Sequence, residues 1–175
     1  MLYKNPSYYS LMLDNADLLN QALLNGYSQY AQDSATRRSH QYEGRYENIY
    51  IGADRIPQID TVLSHARRAA AEILQVEVET LRAGLWFNAM PPGSRTLKHA
   101  HDDDDELLSA VYYVHVPANA GHLILHTANF STHVAPQAGM FVFFPPDVQH
   151  EVTENLGTEM RLSLGINIGP ANRDD

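Results

Sequence analysis

The 175-residue sequence contains no cysteine, which removes disulfides, thiolate metal sites and cysteine nucleophiles together. It has one tryptophan, and no apolar run approaches the roughly 20 residues that a membrane-spanning helix needs. Positive charge is scarce. Twelve Lys and Arg face 21 Asp and Glu, a formal charge of −9 that sets the chain against polyanionic partners, nucleic acid and anionic membrane alike. The opening MLYKNPSYYS has neither the apolar stretch nor the small-residue cleavage site of a secretory signal, so a soluble, cytoplasmic protein is expected. What remains is an ordinary apolar fraction of 44% in a length that suits one domain with one sizeable core.

Residue types are unevenly spread. Eight of the ten tyrosines precede position 51, whereas seven of the nine histidines lie between His99 and His150. With no linker between the two parts, residues 1–175 are expected to form a single domain. Its first part, 1–79, reads as a mainly helical supporting layer, and 80–168 as a β core. In DNADLLNQALLNGYSQYAQ, Leu18, Leu19, Ala22 and Leu23 recur at helical spacing, with Asp14 or Asn15 as cap and Gly26 ending or weakening the helix. SATRRSHQYEGRYENIYIG is polar and turn-rich, with a short β-like stretch at 48–51. After Pro57, a second helix places Val62, Ala66, Ala69 and Ile73 on one stripe.

From residue 76 the pattern changes period. VEVETLRAGLWFNAM, SAVYYVHVPA, GHLILHTA, GMFVFFPP, HEVTEN and RLSLGINIG are short, rich in β-branched and aromatic residues, and separated by Gly, Pro or Asn. Such a series predicts an antiparallel sandwich or barrel. In RLSLGINI one face carries Leu162, Leu164, Ile166 and Ile168, and the other Arg161, Ser163, Gly165 and Asn167. In SAVYYVHV, Ser109, Val111, Tyr113 and His115 share a face. The expected fold is therefore mainly β: a jelly roll (double-stranded β-helix) with the N-terminal helices packed on one sheet and a polar interior that holds the site.

His99 and His101 flank Ala100, so an extended backbone sends both imidazoles to one side, where they can take adjacent positions on one metal ion. His150 follows an apolar strand and the Pro145-Pro146-Asp147 turn, far enough along for an antiparallel roll to bring it back beside the pair. Three protein ligands on one side of a metal leave positions open for small molecules, as in non-heme iron oxygenases and metal-dependent cupins. The acidic run that follows allows a second register, in which His101 and Asp103 form an HxD motif and His99 stands aside. His115, His122, His126 and His133 are read as surface or hydrogen-bonded residues.

In order along the chain come Trp86-Phe87-Asn88, the Pro91-Pro92-Gly93 turn, His99-Ala100-His101, Tyr112-Tyr113, the strand from Gly121 to Leu125, Gly139 to Pro145, His150-Glu151-Val152 and Arg161-Leu162-Ser163. Read together, these resemble the iron(II)- and 2-oxoglutarate-dependent oxygenases of the prolyl-hydroxylase-like superfamily, most closely the small bacterial and phage group with an HxH first motif. The resemblance implies that His99, His101 and His150 bind Fe(II). It further implies that Arg161 holds the distal carboxylate of 2-oxoglutarate, aided by Tyr113 and Ser163. A guanidinium fork suits a carboxylate held by two prongs. The activity so implied is a dioxygenase that oxidises a small substrate, with succinate and CO2 released.

The run Asp102–Glu106 reads either as a solvated loop or as a negative rim that favours a cationic substrate. The rival to the oxygenase is a cupin-type metal-dependent isomerase or lyase, or a binding jelly roll without turnover. Arg161 separates the two, because a cupin has no need of a buried guanidinium on the strand after the distal histidine.

Overall fold

The computed structural model describes residues 1–100 and 105–171. Twelve strands form two antiparallel sheets among these residues. They are β1 (Leu2–Lys4), β2 (Tyr9–Met12), β3 (Arg37–Tyr42), β4 (Arg45–Tyr50), β5 (Leu81–Met90), β6 (Thr96–His99), β7 (Leu108–His115), β8 (Leu123–His126), β9 (Ser131–Val134), β10 (Met140–Phe144), β11 (Gln149–Val152) and β12 (Arg161–Pro170). The major sheet runs β1-β2-β10-β7-β12-β5-β4-β3, and the minor sheet β6-β11-β8-β9. Helices α1 (Asp17–Tyr30) and α2 (Gln58–Leu74) lie on the outer face of the major sheet, α1 over β7 and α2 over β5. This is the jelly roll that the strand pattern predicts.

The central strands explain the layering. On β12, Leu162, Leu164, Ile166 and Ile168 are almost wholly buried and join the core beneath the helices. Burying each aliphatic side chain contributes roughly 1.5–3 kcal/mol, so this stripe alone fixes which face of the strand meets α1 and α2. Strand β10 alternates the same way: Phe141 and Phe143 enter that core, while Val142 and Phe144 enter a second, smaller one with Tyr113, Leu123, Leu125 and Val134. The second core joins the two sheets at one end of the roll. The remainder of the interior is open.

The N-terminal part differs from the sequence reading. The segment 1–79, expected to be mainly helical, also carries β1 to β4. The stretch read as turn-rich with a β-like segment at 48–51 is a full hairpin, with Arg37 opposite Tyr50 and Arg38 opposite Ile49, extending the major sheet beyond β5. Its polar strands bury little besides Ile49, so they carry no apolar alternation to read. Helix α1 buries Asn20, Leu23 and Tyr27 rather than Leu18, which is 86% exposed. Neither Asp14 nor Asn15 caps it; Ala16 does, without a side-chain hydrogen bond. Gly26 sits inside α1 because a Cβ there would stand 2.6 Å from Ile56 Cδ1. Helix α2 follows Pro57 and buries Ile59, Val62, Ala66 and Ala69, ending at Gln75 in the left-handed region. No helix among the described residues is long and apolar enough to cross a membrane.

Candidate functional site

Between the sheets lies a cavity of about 480 Å³. The polar face of β12 supplies one wall: Arg161, Ser163, Gly165 and Asn167 all line it, opposite in sense to the aliphatic stripe. The facing wall comes from the minor sheet. There β6 and β11 pair antiparallel with His99 directly opposite His150, and a bulge follows before Val152 meets Thr96. The register sets the two imidazole centroids 4.3 Å apart, with the edge of Phe144 against His150.

Hydrogen bonds orient both rings. His99 Nδ1 lies 2.7 Å from the Leu97 carbonyl, and His150 Nδ1 lies 3.0 Å from the Val148 carbonyl. A carbonyl only accepts, so each ring donates from Nδ1, the arrangement in which a neutral imidazole binds a metal through Nε2. His101 and Asp103, the other candidates for the ligand set, lie outside the described residues. Among the described residues no group of three His, Cys, Asp or Glu side chains gathers in this way.

Arg161 is 1% exposed. Its Nη1 donates to the carbonyls of Ala120 and Gly121 at 3.3 and 3.4 Å, and its guanidinium carbon stands 5.1 Å from the centre of the Tyr113 ring. No carboxylate pairs with it among the described residues, and its Nε has no hydrogen-bond partner. Tyr113 is fully buried, and its hydroxyl likewise has no hydrogen-bond partner among the described residues. Burial pulls the guanidinium below its ordinary pKa while the Tyr113 ring offsets part of this; an arginine remains charged at neutral pH regardless. Burial pushes the Tyr113 phenol up and Arg161 partly counters it, so the hydroxyl is a neutral donor. A buried cation that, among the described residues, bonds neutral carbonyls and stands beside a hydroxyl donor without a partner matches a carboxylate ligand in charge and in hydrogen-bonding capacity. Ser163 is buried beside them on β12, opposite Tyr113.

Two of the other histidines are engaged away from this pair, while His40 of β3 also lines the cavity. His126 bonds Ser131 and Glu151, at 2.8 and 2.7 Å, and His115 lies 3.6 Å from Glu159. The described end of the acidic run is tied down rather than freely solvated: Asp105 pairs with Arg82 of β5, and Glu106 accepts from Asn167 Nδ2 and lines the cavity.

Two supporting residues were not foreseen in the sequence. Asn155 is wholly buried and donates to the carbonyls of Met90 and Glu159, while its backbone bonds Gly93 and Ser94. It thereby ties the turn before β6 to the segment before β12, the two strands that carry His99 and Arg161. Arg45 of β4 reaches Asn88, Ala89, Arg95 and Thr96, clamping the hairpin to β5 and β6. Neither has a local pattern; the one hint was Asn155 in the Asn-Leu-Gly turn.

No protein-family model and no curated sequence matches the chain. Solved structures do match in fold. A Pseudomonas putida prolyl-4-hydroxylase superposes with a TM-score of 0.66 at 22% identity, over 95% of this chain and 89% of that one. The non-heme α-ketoglutarate-dependent carbocyclase SnoK from nogalamycin biosynthesis gives 0.76 at 14% identity, over 95% and 80%. The epimerase SnoN in complex with Fe3+, α-ketoglutarate and nogalamycin RO gives 0.69 at 15%, over 94% and 79%. The chain thus has the fold of the 2-oxoglutarate- and iron-dependent oxygenases. At these identities the likeness is one of fold.

Proposed function

We propose that this protein is an Fe(II)- and 2-oxoglutarate-dependent dioxygenase that oxidises, by hydroxylation, a small substrate and releases succinate and CO2. The observation that carries the reading is Arg161: a buried guanidinium with no carboxylate partner among the described residues, in the same cavity as two facing imidazoles. A cupin isomerase has no use for such a cation.

In this reading His99, His101 and His150 hold the metal. The opposed His99 and His150 support the register that includes His99 over the one that replaces it with Asp103. Neutral imidazoles presenting Nε2 suit a divalent iron, and a facial set of three leaves positions open. With dioxygen as the oxidant, Fe(II) and 2-oxoglutarate held there would supply the chemistry for cleaving a C–H bond, one oxygen atom going to the substrate and the other to succinate. The chain's own part is binding and orientation. Arg161 neutralises the distal carboxylate of 2-oxoglutarate, Tyr113 and Ser163 donate hydrogen bonds to it, and the carbonyls of Ala120 and Gly121 keep the guanidinium in place. Phe144 and the second core close that end of the cavity against bulk water.

Anaerobic titration of the metal-free protein with Fe(II) and then 2-oxoglutarate, followed by absorbance, tests the class. A weak visible charge-transfer band should arise only when both are present. Tight metal binding with no response to 2-oxoglutarate would overturn the reading in favour of a cupin.

A further inference from the structure

The wall that carries Arg161 ends in groups of the opposite character. Successive cavity-facing positions of β12 are Arg161, Ser163, Gly165 and Asn167. At roughly 3.3 Å per residue, the first and last stand about 20 Å apart along the strand. At the Asn167 end, Glu106 also lines the cavity, its Oε1 accepting from Asn167 Nδ2. Ser109 on β7 stands opposite Asn167 in the sheet register and lines the same cavity. Ser109 is 2% exposed, and among the described residues neither its Oγ nor the buried Oδ1 of Asn167 has a hydrogen-bond partner. Between the two ends Trp86 packs against Gly165, where a Cβ would come within 2.4 Å of the indole.

We infer that Glu106, Ser109 and Asn167 form a subsite for a primary ammonium group, so that the substrate is an aliphatic amine whose chain runs over Trp86. This rests on the dioxygenase reading for the identity of the other end, but the subsite itself needs neither iron nor 2-oxoglutarate. A carboxylate, an amide oxygen and a hydroxyl oxygen line that end of the cavity, an acceptor-rich set that a three-donor ammonium satisfies. The carboxylate also supplies the charge. A divalent metal ion fits less well, because hard cations gather six or more oxygens, commonly with several carboxylates, and the described residues bring one. Asp105, next in the chain, does not compete: Arg82 holds it. The polarity of the cavity separates the two ligands, since an acid is drawn to Arg161 and repelled by Glu106, and an amine the reverse.

Ligand-observed NMR on the metal-free full chain, with n-pentylammonium, 1-pentanol and pentanoate as probes, tests this directly. The ammonium should bind at least tenfold more tightly than the alcohol, with affinity falling as salt rises. Glu106→Gln, which keeps the hydrogen bond from Asn167, should abolish that preference. Glu79→Gln, at an exposed site away from the cavity, should leave it intact. Equal binding of ammonium and alcohol, a preference that survives Glu106→Gln, or an equal loss in Glu79→Gln would overturn the subsite. Because these probes are read without iron, such a failure leaves the charge-transfer titration to stand or fall alone. A missing charge-transfer band together with intact ammonium selectivity would refute the dioxygenase and keep the amine subsite.

Discussion

At the scale of single residues, chemistry in this protein is decided by what surrounds each polar group. His126 is occupied on both nitrogens by Ser131 and Glu151, whereas His99 and His150 each commit Nδ1 to a backbone carbonyl and face one another in the cavity. The same residue type is thus structural in one place and a candidate ligand in another. If the metal is held as proposed, His150→Ala and His101→Ala should each abolish Fe(II) binding, because each removes one of three protein ligands. His99→Ala and Asp103→Ala divide the two registers: the variant that retains wild-type Fe(II) affinity, measured anaerobically by competition with a chromogenic chelator, identifies the residue that is not a ligand. The expected outcome is loss in His99→Ala and retention in Asp103→Ala; retention in both would displace the proposed centre altogether.

At the scale of elements, alternation was the most informative signal in the sequence. Along β12 it separated Arg161 and Ser163 from Leu162 and Leu164, and the structure puts the first pair in the cavity and the second beneath the helices. Strand β6 was not legible, since Leu97 and Lys98 are both exposed and a four-residue strand leaves little pattern to read. The β3–β4 hairpin was legible only at 48–51, because its strands are polar and bury little besides Ile49, and Asn155 was hidden because its partners at Met90 and Gly93 are remote in sequence. Helix α1 holds a further long-range link. Tyr112 of β7 is buried, and its hydroxyl donates to Asn20 Oδ1 at 2.6 Å. Burial pushes the Tyr112 pKa up to about 12. A group whose pKa rises on folding contributes stability that is complete below its unfolded value, near 10 for tyrosine, and is lost as pH climbs towards 12. Thermal or urea unfolding followed between pH 8 and 12 should therefore show stability falling above pH ~10. Tyr112→Phe should flatten that fall, at a cost at neutral pH of about 1–3 kcal/mol for leaving Asn20 unsatisfied. An unchanged alkaline slope would show that Tyr112 does not drive it.

At the scale of the whole molecule, the architecture divides labour between two sheets. The major sheet takes helices on one face and lines the cavity with the other, while the minor sheet brings His99 and His150 across from Arg161. Fold and cavity-facing residues follow from period-2 patterning, so they were open to sequence reasoning. The hairpin that widens the major sheet and the tie through Asn155 depend on tertiary contacts that no local pattern records. The account as a whole turns on whether the buried guanidinium is a carboxylate receptor. Removing one partner of a buried charged pair costs about 3–5 kcal/mol, and each 1.4 kcal/mol is about tenfold. The decisive measurement is the dissociation constant for 2-oxoglutarate of the Fe(II)-loaded protein, compared among wild type, Arg161→Ala and Arg161→Lys. The account predicts a weakening of roughly 100-fold or more in Arg161→Ala, partial recovery in Arg161→Lys, and Fe(II) affinity unchanged in both. Wild-type affinity for 2-oxoglutarate in a folded Arg161→Ala variant would contradict it.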